Sequence, residues 1–179
     1  MGLEELFGRI EKRFGKEAVV GNDIKVDTVS SGSMALDEIL GGGFALGRIH
    51  EIYGGFSSGK SSAALHLSAS VQKTLGKAVG YVDTEQALDL EYAKALGVDL
   101  SRDKWIMSQP DSAEQALEIV REMLEVPEIG LVVLDSVAGL VPEAVLQGEA
   151  GDAKIALVAR LMSQQLSILK NVCKKNGNI

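Results

Sequence analysis

The chain has few of the residues that define several common protein classes. It contains one cysteine in 179 residues, which excludes an intrachain disulfide and fits a reducing, cytoplasmic compartment. Aromatic residues make up only 4% of the sequence, so the core must be aliphatic. No apolar run approaches the roughly 20 residues that a membrane-spanning helix needs, and the acidic amino terminus lacks the basic segment of a signal peptide. We therefore expect no membrane partner.

The charge balance is acidic, with a formal net charge of −7. This argues against a protein that coats nucleic acid through a generally basic surface, but it leaves DNA binding through a local patch open. Hydrophobic residues reach 46%, which is sufficient for one well-packed core.

A complete GxxxxGK[ST] pattern is the most informative feature present. The alternating residues 48–53 before it predict a strand, and apolar residues at helical spacing in 62–75 predict a helix. Strand, glycine loop and helix together indicate a nucleoside triphosphate site, because loop amides and the helix N-terminus converge on phosphate. Lys60 can reach the β- and γ-phosphates, and the Ser61 hydroxyl is placed to ligate Mg²⁺. The loop consists of Gly54, Gly55, Phe56, Ser57, Ser58, Gly59, Lys60 and Ser61.

Two acidic positions follow predicted strands further along the chain. Asp135 ends the apolar strand 129–134, a pattern typical of a carboxylate that binds Mg²⁺ directly or through water. In Asp83-Thr84-Glu85, a carboxylate could face the γ-phosphate and orient an attacking water. For both positions the alternative is that the carboxylate caps the following turn or helix. For Asp83-Thr84-Glu85, spacing alone favours neither interpretation.

The order of predicted elements indicates an α/β fold with a mainly parallel sheet and helices on both faces. Residues 1–32 form an amphipathic helix ending near Gly15 and short strands around Asn22 and Asp23, and residues 33–179 form the core. The final residue, Ile179, reads as the start of another strand, so we expect the carboxy-terminal part of the core to be missing. Within the core we predict strands at 78–82 and 105–107. We also predict four helices: one from Ser33, one capped by Asp89, one from Asp111 or Ser112 with a capping box, and one at 155–175.

In addition, the chain resembles the bacterial RecA recombinase family, whose core is a P-loop NTPase. Matching stretches occur in the family's order over nearly the whole chain. They include Leu6-Phe7-Gly8-Arg9-Ile10, Glu51-Ile52-Tyr53-Gly54, Ser57-Ser58-Gly59-Lys60, Ala87-Leu88-Asp89, Ser108-Gln109-Pro110-Asp111, Glu114-Gln115-Ala116-Leu117 and Asp135-Ser136-Val137-Ala138.

The resemblance implies a role for individual residues. Lys60 and Glu85 would be catalytic, with Glu85 activating water, while Tyr92 would stack on adenine and Asp89 contact the base. Ser62 would supply a loop hydroxyl where threonine is common, whereas Gly55 and Phe56 depart from the family's proline-acid pair. A first DNA-binding loop and its following helix would use Gly148, Glu149, Gly151, Asp152, Lys154 and Arg160. Because Glu149 and Asp152 make this loop acidic, glycine amides would have to make most phosphate contacts.

The implied protein is an ATP- and Mg²⁺-dependent DNA recombinase that serves DNA repair and the SOS response. It would form a homo-oligomeric filament on single-stranded DNA, dock protomers through the amino-terminal helix, and exchange strands with double-stranded DNA. The main alternative is a nucleotide-binding adaptor without turnover. A P-loop kinase is less favoured because residues 142–154 contain no arginine for a lid, and a helicase-loader or clock-type relative is a weaker alternative.

Overall fold

The structure, a computed structural model, describes residues 2–19, 25–148 and 154–179. Its strands are β1 (Thr28–Val29), β2 (Phe44–Ala45), β3 (Ala78–Asp83), β4 (Trp105–Ser108) and β5 (Ile129–Asp135). Its α-helices are α1 (Leu3–Phe14), α2 (Met34–Leu40), α3 (Lys60–Leu75), α4 (Leu90–Ala95), α5 (Ala113–Glu125), α6 (Glu143–Leu146) and α7 (Lys154–Asn176). Two 3₁₀ turns lie at Lys16–Ala18 and Val137–Gly139.

A parallel sheet with the order β4-β3-β5 forms the centre of the fold. In its register Val79 of β3 lies between Trp105 of β4 and Leu131 of β5. Each connection between these strands carries a helix, as parallel strands require. The α/β class and the parallel sheet are therefore confirmed.

Helices cover both faces of this sheet because successive side chains of β3 point in opposite directions. Val79 and Tyr81 lie in one buried cluster with Leu65 of α3. Val82 lies in a second buried cluster with residues of α5 and α7, including Val120. The predicted two-sided arrangement thus follows from the alternation within one strand.

Helix starts largely follow the local sequence. The Ser112 hydroxyl accepts the Gln115 amide N–H at 3.2 Å, as the predicted cap requires. The Gln115 side chain accepts the Asp111 N–H at 2.8 Å, one residue before the N–H that a capping box would use. Asp89 caps α4 as predicted. Ser33 occupies the N-cap position of α2, where the predicted helix begins, but its side chain makes no cap hydrogen bond.

The strand predicted at residues 48–53 is absent from the structure. Side chains of this segment are accessible to solvent, with Tyr53 87% exposed and Ile49 42% exposed. A strand exists only where a neighbouring strand completes its hydrogen-bond ladder, and no described segment pairs with these residues. Ile179 does lie beside β5, where it donates to Gly130 O and accepts from the Val132 amide at 2.9 and 2.8 Å.

The small antiparallel pair of β1 and β2 joins the amino-terminal segment to the core, where Val29 is buried. Gly43 makes this pairing possible, because a Cβ there would lie 2.1 Å from the Val29 carbonyl oxygen. The predicted strands around Asn22 and Asp23 lie outside the described residues, and the boundary at residue 32 stays a prediction.

Helix α1 confirms the predicted amphipathic helix, and Gly15 follows it with its N–H bonded to Glu11 O. Its apolar stripe is accessible, with Leu3 71%, Phe7 44% and Phe14 67% exposed. Among the described residues, no helix combines the length and apolar character needed to cross a membrane.

Candidate nucleotide-binding site

The glycine loop leads directly into the first turn of α3. Gly59 is the N-cap residue of α3 and has a left-handed conformation with a φ of 88°. Because glycine has no side chain, it makes no side-chain cap hydrogen bond to the first turn. Ser57 also has a positive φ, 53°. The first-turn amides of α3 are thereby left for an anion, which also benefits from the helix dipole.

Lys60 is held over the interior of the loop. Its Nζ donates to the carbonyl oxygens of Gly54 and Gly55 at 3.2 and 2.8 Å. The loop is tight at Gly54, where a Cβ would lie 2.7 Å from Ser58 Oγ. Phe56, at the tip of the loop, is fully exposed. The predicted loop residues therefore form one continuous surface that carries the positive charge of the Lys60 ammonium.

Ser61 and Asp135, which are 74 positions apart, meet as the sequence predicts. Ser61 Oγ donates to Asp135 Oδ2 at 2.7 Å, and the buried Tyr81 hydroxyl donates to the same oxygen at 2.7 Å. A hydroxyl beside a carboxylate suits Mg²⁺, which takes few protein ligands and completes its shell with water and phosphate oxygens. The described residues hold no cluster of three or more His, Cys, Asp or Glu side chains, so a metal site formed by protein ligands alone is not evident among them.

Burial keeps the Tyr81 hydroxyl protonated. Desolvation raises the pKa of this phenol far above its usual range, and the hydrogen bond to Asp135 raises it further. The hydroxyl is therefore a donor to Asp135 at any neutral or moderately alkaline pH. Sequence reasoning missed Tyr81, because nothing local distinguishes it from another strand residue.

Glu85 lies at the same edge of the sheet as Asp135. Its Oε1 accepts a hydrogen bond from Ser136 Oγ at 2.5 Å. The Thr84 hydroxyl donates to Ser136 O at 2.7 Å and accepts the Ser136 N–H at 2.9 Å, while the Thr84 N–H bonds Asp135 O. Thr84 and Ser136 thus tie the two acidic strand ends together, a role their sequence context did not indicate.

Asp83 and Glu85, both candidates in the sequence, have different environments. Asp83 is 3% exposed and accepts hydrogen bonds from the Leu88 amide at 3.2 Å and from Gln109 Nε2 at 3.1 Å. It therefore orders the turn after β3. Glu85 is exposed and is the carboxylate of the two that can face a ligand.

The two residues assigned to adenine lie beside the loop. Asp89 Oδ1 accepts the Tyr92 amide N–H at 3.0 Å, and the Tyr92 hydroxyl lies 3.0 Å from Ser62 Oγ. Tyr92 is 45% exposed, so its ring is accessible from solvent. A cleft joins these positions to the acidic strand ends, lined by Ser61, Leu65, Asp83, Glu85, Ala87, Leu88, Asp89, Tyr92 and Asp135.

Three of the six predicted DNA-contact residues lie within the described part of the chain. Gly148 is exposed after α6 with a φ of 78°, and Arg160 is exposed on α7. Lys154 begins α7. Glu149, Gly151 and Asp152 lie outside the described residues, so the loop stays a prediction.

Comparison with known proteins gives a consistent family. A family profile described as the RecA N-terminal domain matches residues 2–179. Protein RecA of Latilactobacillus sakei is 50% identical over 182 residues, which cover 99% of this chain and 50% of the relative. Protein RecA of Lactobacillus delbrueckii is also 50% identical, covering 99% and 54%, and that of Listeria monocytogenes is 47% identical, covering 99% and 51%.

The chain thus spans about half the length of the curated relatives it matches. The matched residues, 2–179, include the glycine loop, the acidic strand ends and the helix between them. On these grounds the chain belongs to the RecA family and corresponds to its N-terminal domain.

Proposed function

We propose that the chain binds ATP with Mg²⁺ at the glycine loop and that its core is of the P-loop NTPase type. The observation that carries this proposal is the hydrogen bond from Ser61 to Asp135. It joins the end of the phosphate loop to the end of β5, which is the geometry needed for one hydroxyl and one carboxylate to share a hydrated cation.

Each group has a distinct part in this proposal. The first-turn amides of α3 and the Lys60 ammonium bind the phosphate oxygens. Ser61 and Asp135 hold Mg²⁺, which when bound neutralises phosphate charge. Glu85 accepts a proton from the attacking water, and Tyr92 with Asp89 positions the base. The cleft that lies between Asp135 and Tyr92 supports this division of roles.

The function that we infer for the intact protein is ATP-dependent recombination in DNA repair. Its partners would be single-stranded and double-stranded DNA and further copies of the chain in a filament. Membership of the RecA family supports this inference, and the exposed stripe of α1 supplies a surface for the neighbouring copy. Residues 148–154 and Arg160 would contact the DNA backbone, and the single cysteine favours a cytoplasmic location.

A Lys60→Ala variant tests nucleotide binding. The change removes the ammonium that lies over the loop, so affinity for a fluorescent ATP analogue in Mg²⁺ should fall at least tenfold, or about 1.4 kcal/mol. Lys73→Ala is the matched control, because Lys73 is an exposed lysine on the last turn of the same helix. Equal affinities of the wild-type and Lys60→Ala proteins would reject the loop as the site.

Binding without turnover is the second candidate function. The specific observation in its favour is the hydrogen bond from Ser136 to Glu85, which occupies one of the two carboxylate oxygens that could accept a proton from water. A chain that binds the ATP analogue with Mg²⁺ but releases no phosphate would support this adaptor role.

A further inference from the structure

We propose that Tyr81 is a positioning residue for the magnesium site, where its hydroxyl fixes the orientation of the Asp135 carboxylate. This inference rests on the proposed Mg²⁺-dependent binding of nucleotide at that carboxylate. It assigns a site role to a residue in the middle of a buried strand, outside the phosphate loop and the acidic strand ends.

The position of Tyr81 is determined by the sheet. Tyr81 pairs with Val133 in the parallel register, and Asp135 lies two residues further along β5. Residues two apart on a strand share a face, so the long tyrosine side chain reaches diagonally along the neighbouring strand to its acidic end. The hydroxyl then meets Asp135 Oδ2 at 2.7 Å.

The ring of Tyr81 is immobilised by its surroundings. The residue is 0% exposed, and its ring centroid lies 5.3 Å from that of Trp105 at an interplanar angle of 31°. A buried phenol needs a hydrogen-bond partner, and a charged partner makes the stronger bond. The packed ring is therefore a rigid support that presents one donor to the carboxylate.

Two donors act on the same carboxylate oxygen. Ser61 approaches Oδ2 from α3, and Tyr81 approaches it from the buried side of the sheet. Among the hydrogen bonds of the described residues, none uses Asp135 Oδ1, so this oxygen is oriented by the two bonds and is available to a cation or to its bound water. Mutation of a group that orients a metal-binding side chain typically lowers metal affinity by roughly 10- to 100-fold.

Ser61 and Tyr81 differ in what a substitution would remove. Ser61 is itself assigned as a ligand, so its loss would remove both a ligand and a donor. Tyr81→Phe removes only the hydroxyl and keeps the ring that packs on Trp105. The phenylalanine variant therefore isolates carboxylate orientation from packing.

The test measures affinity for a fluorescent ATP analogue over a Mg²⁺ titration, together with affinity in EDTA. The Mg²⁺ concentration at half-maximal binding should rise about tenfold in Tyr81→Phe, while affinity in EDTA stays at the wild-type value. Tyr53→Phe is the matched control, because Tyr53 is 87% exposed, and it should leave both quantities unchanged. In an Asp135→Asn background, Tyr81→Phe should add little, since both changes act on one group.

The outcomes separate the two proposals. If Asp135→Asn raises the Mg²⁺ requirement and Tyr81→Phe does not, the magnesium site stands and the role of Tyr81 is rejected. If wild-type binding is independent of Mg²⁺, the proposed function and this inference both fall. Trp105 emission monitors folding, and a Tyr81→Phe chain with the emission of unfolded protein would show that the hydroxyl is structural, which also overturns the proposal.

Discussion

At the scale of single residues, hydroxyl groups organise the acidic edge of the sheet. Thr84 uses its hydroxyl as both donor and acceptor towards the backbone of Ser136, and Ser136 in turn donates to Glu85. Gly139 also packs closely against Thr84, since a Cβ at position 139 would lie 2.5 Å from Thr84 Oγ1. Asp135 and Glu85 therefore have a fixed spacing before any ligand arrives.

This arrangement leads to a prediction for Glu85, to be tested in a chain extended with the second half of a RecA relative. Glu85→Gln removes the proposed general base but keeps a polar group beside Ser136, so ATP should still bind. DNA-stimulated phosphate release should fall by about 10²-fold or more.

Glu91→Gln provides the control for this experiment, because Glu91 is an exposed glutamate in the first turn of α4. Single-turnover phosphate release separates chemistry from binding. Hydrolysis by Glu85→Gln at the parent rate would show that another group activates the water.

Cys173 illustrates how burial removes a side chain from chemistry. It lies in the cluster between the sheet, α5 and α7, and desolvation raises the pKa of its thiol. A thiol that remains protonated in an apolar environment is a poor nucleophile. We therefore interpret Cys173 as a packing residue.

At the scale of secondary structure, α2 and α5 provide a natural comparison of helix starts. Both have serine at the N-cap position, but only Ser112 accepts a first-turn amide, and Ser33 makes no cap bond. Because an N-cap hydrogen bond satisfies an otherwise free amide, its loss has a measurable effect on stability.

Ser112→Ala is therefore expected to lower the free energy of unfolding by about 1 kcal/mol. Ser33→Ala is the matched control and should have a much smaller effect. Urea denaturation followed by circular dichroism gives both values. Equal losses for the two variants would mean that the Ser112 contribution does not come from the cap.

The strands show why pairing has to be considered together with pattern. Residues 48–53 and β3 both have sequences typical of strands, yet only β3 lies between two partners. Conversely, β2 is a two-residue strand that forms because β1 and Gly43 bring Val29 close to Phe44. Local propensity sets which segments can pair, and the available neighbours decide which do.

At the scale of the whole molecule, the net charge and the share of the RecA length that the chain covers determine the DNA affinity that we expect. Filament proteins gain DNA affinity by summing many phosphate contacts along the strand, which makes binding strongly dependent on salt. This chain has a net charge of −7 and spans about half the length of its RecA relatives. Its predicted DNA loop also contains Glu149 and Asp152.

We therefore predict that residues 1–179 show no measurable ATP-dependent binding of single-stranded DNA at physiological salt, and little stimulation of ATPase activity by DNA. Fluorescence anisotropy with a labelled oligonucleotide, with and without a non-hydrolysable ATP analogue, is the direct measurement. A complete RecA relative serves as the positive control. Sub-micromolar, nucleotide-dependent binding would contradict the prediction and would weigh against the adaptor role.

The sequence alone determined the features that depend on neighbouring residues. The helical spacing of α1, the caps supplied by Asp89 and Ser112, and the apolar run of β3 were all readable because these patterns span only a few positions. The pairing of Ser61 with Asp135 was also predicted, since the ends of parallel strands meet at one edge of a sheet next to the loop.

Only the tertiary structure decided the contacts between segments that no local pattern relates. It distinguished exposed Glu85 from buried Asp83, placed the Tyr81 hydroxyl on Asp135, and left residues 48–53 without a strand partner. The physical reason is the same in each case. Burial, hydrogen-bond partners and strand pairing are set by residues far away in the sequence, and they exist only once the chain has packed.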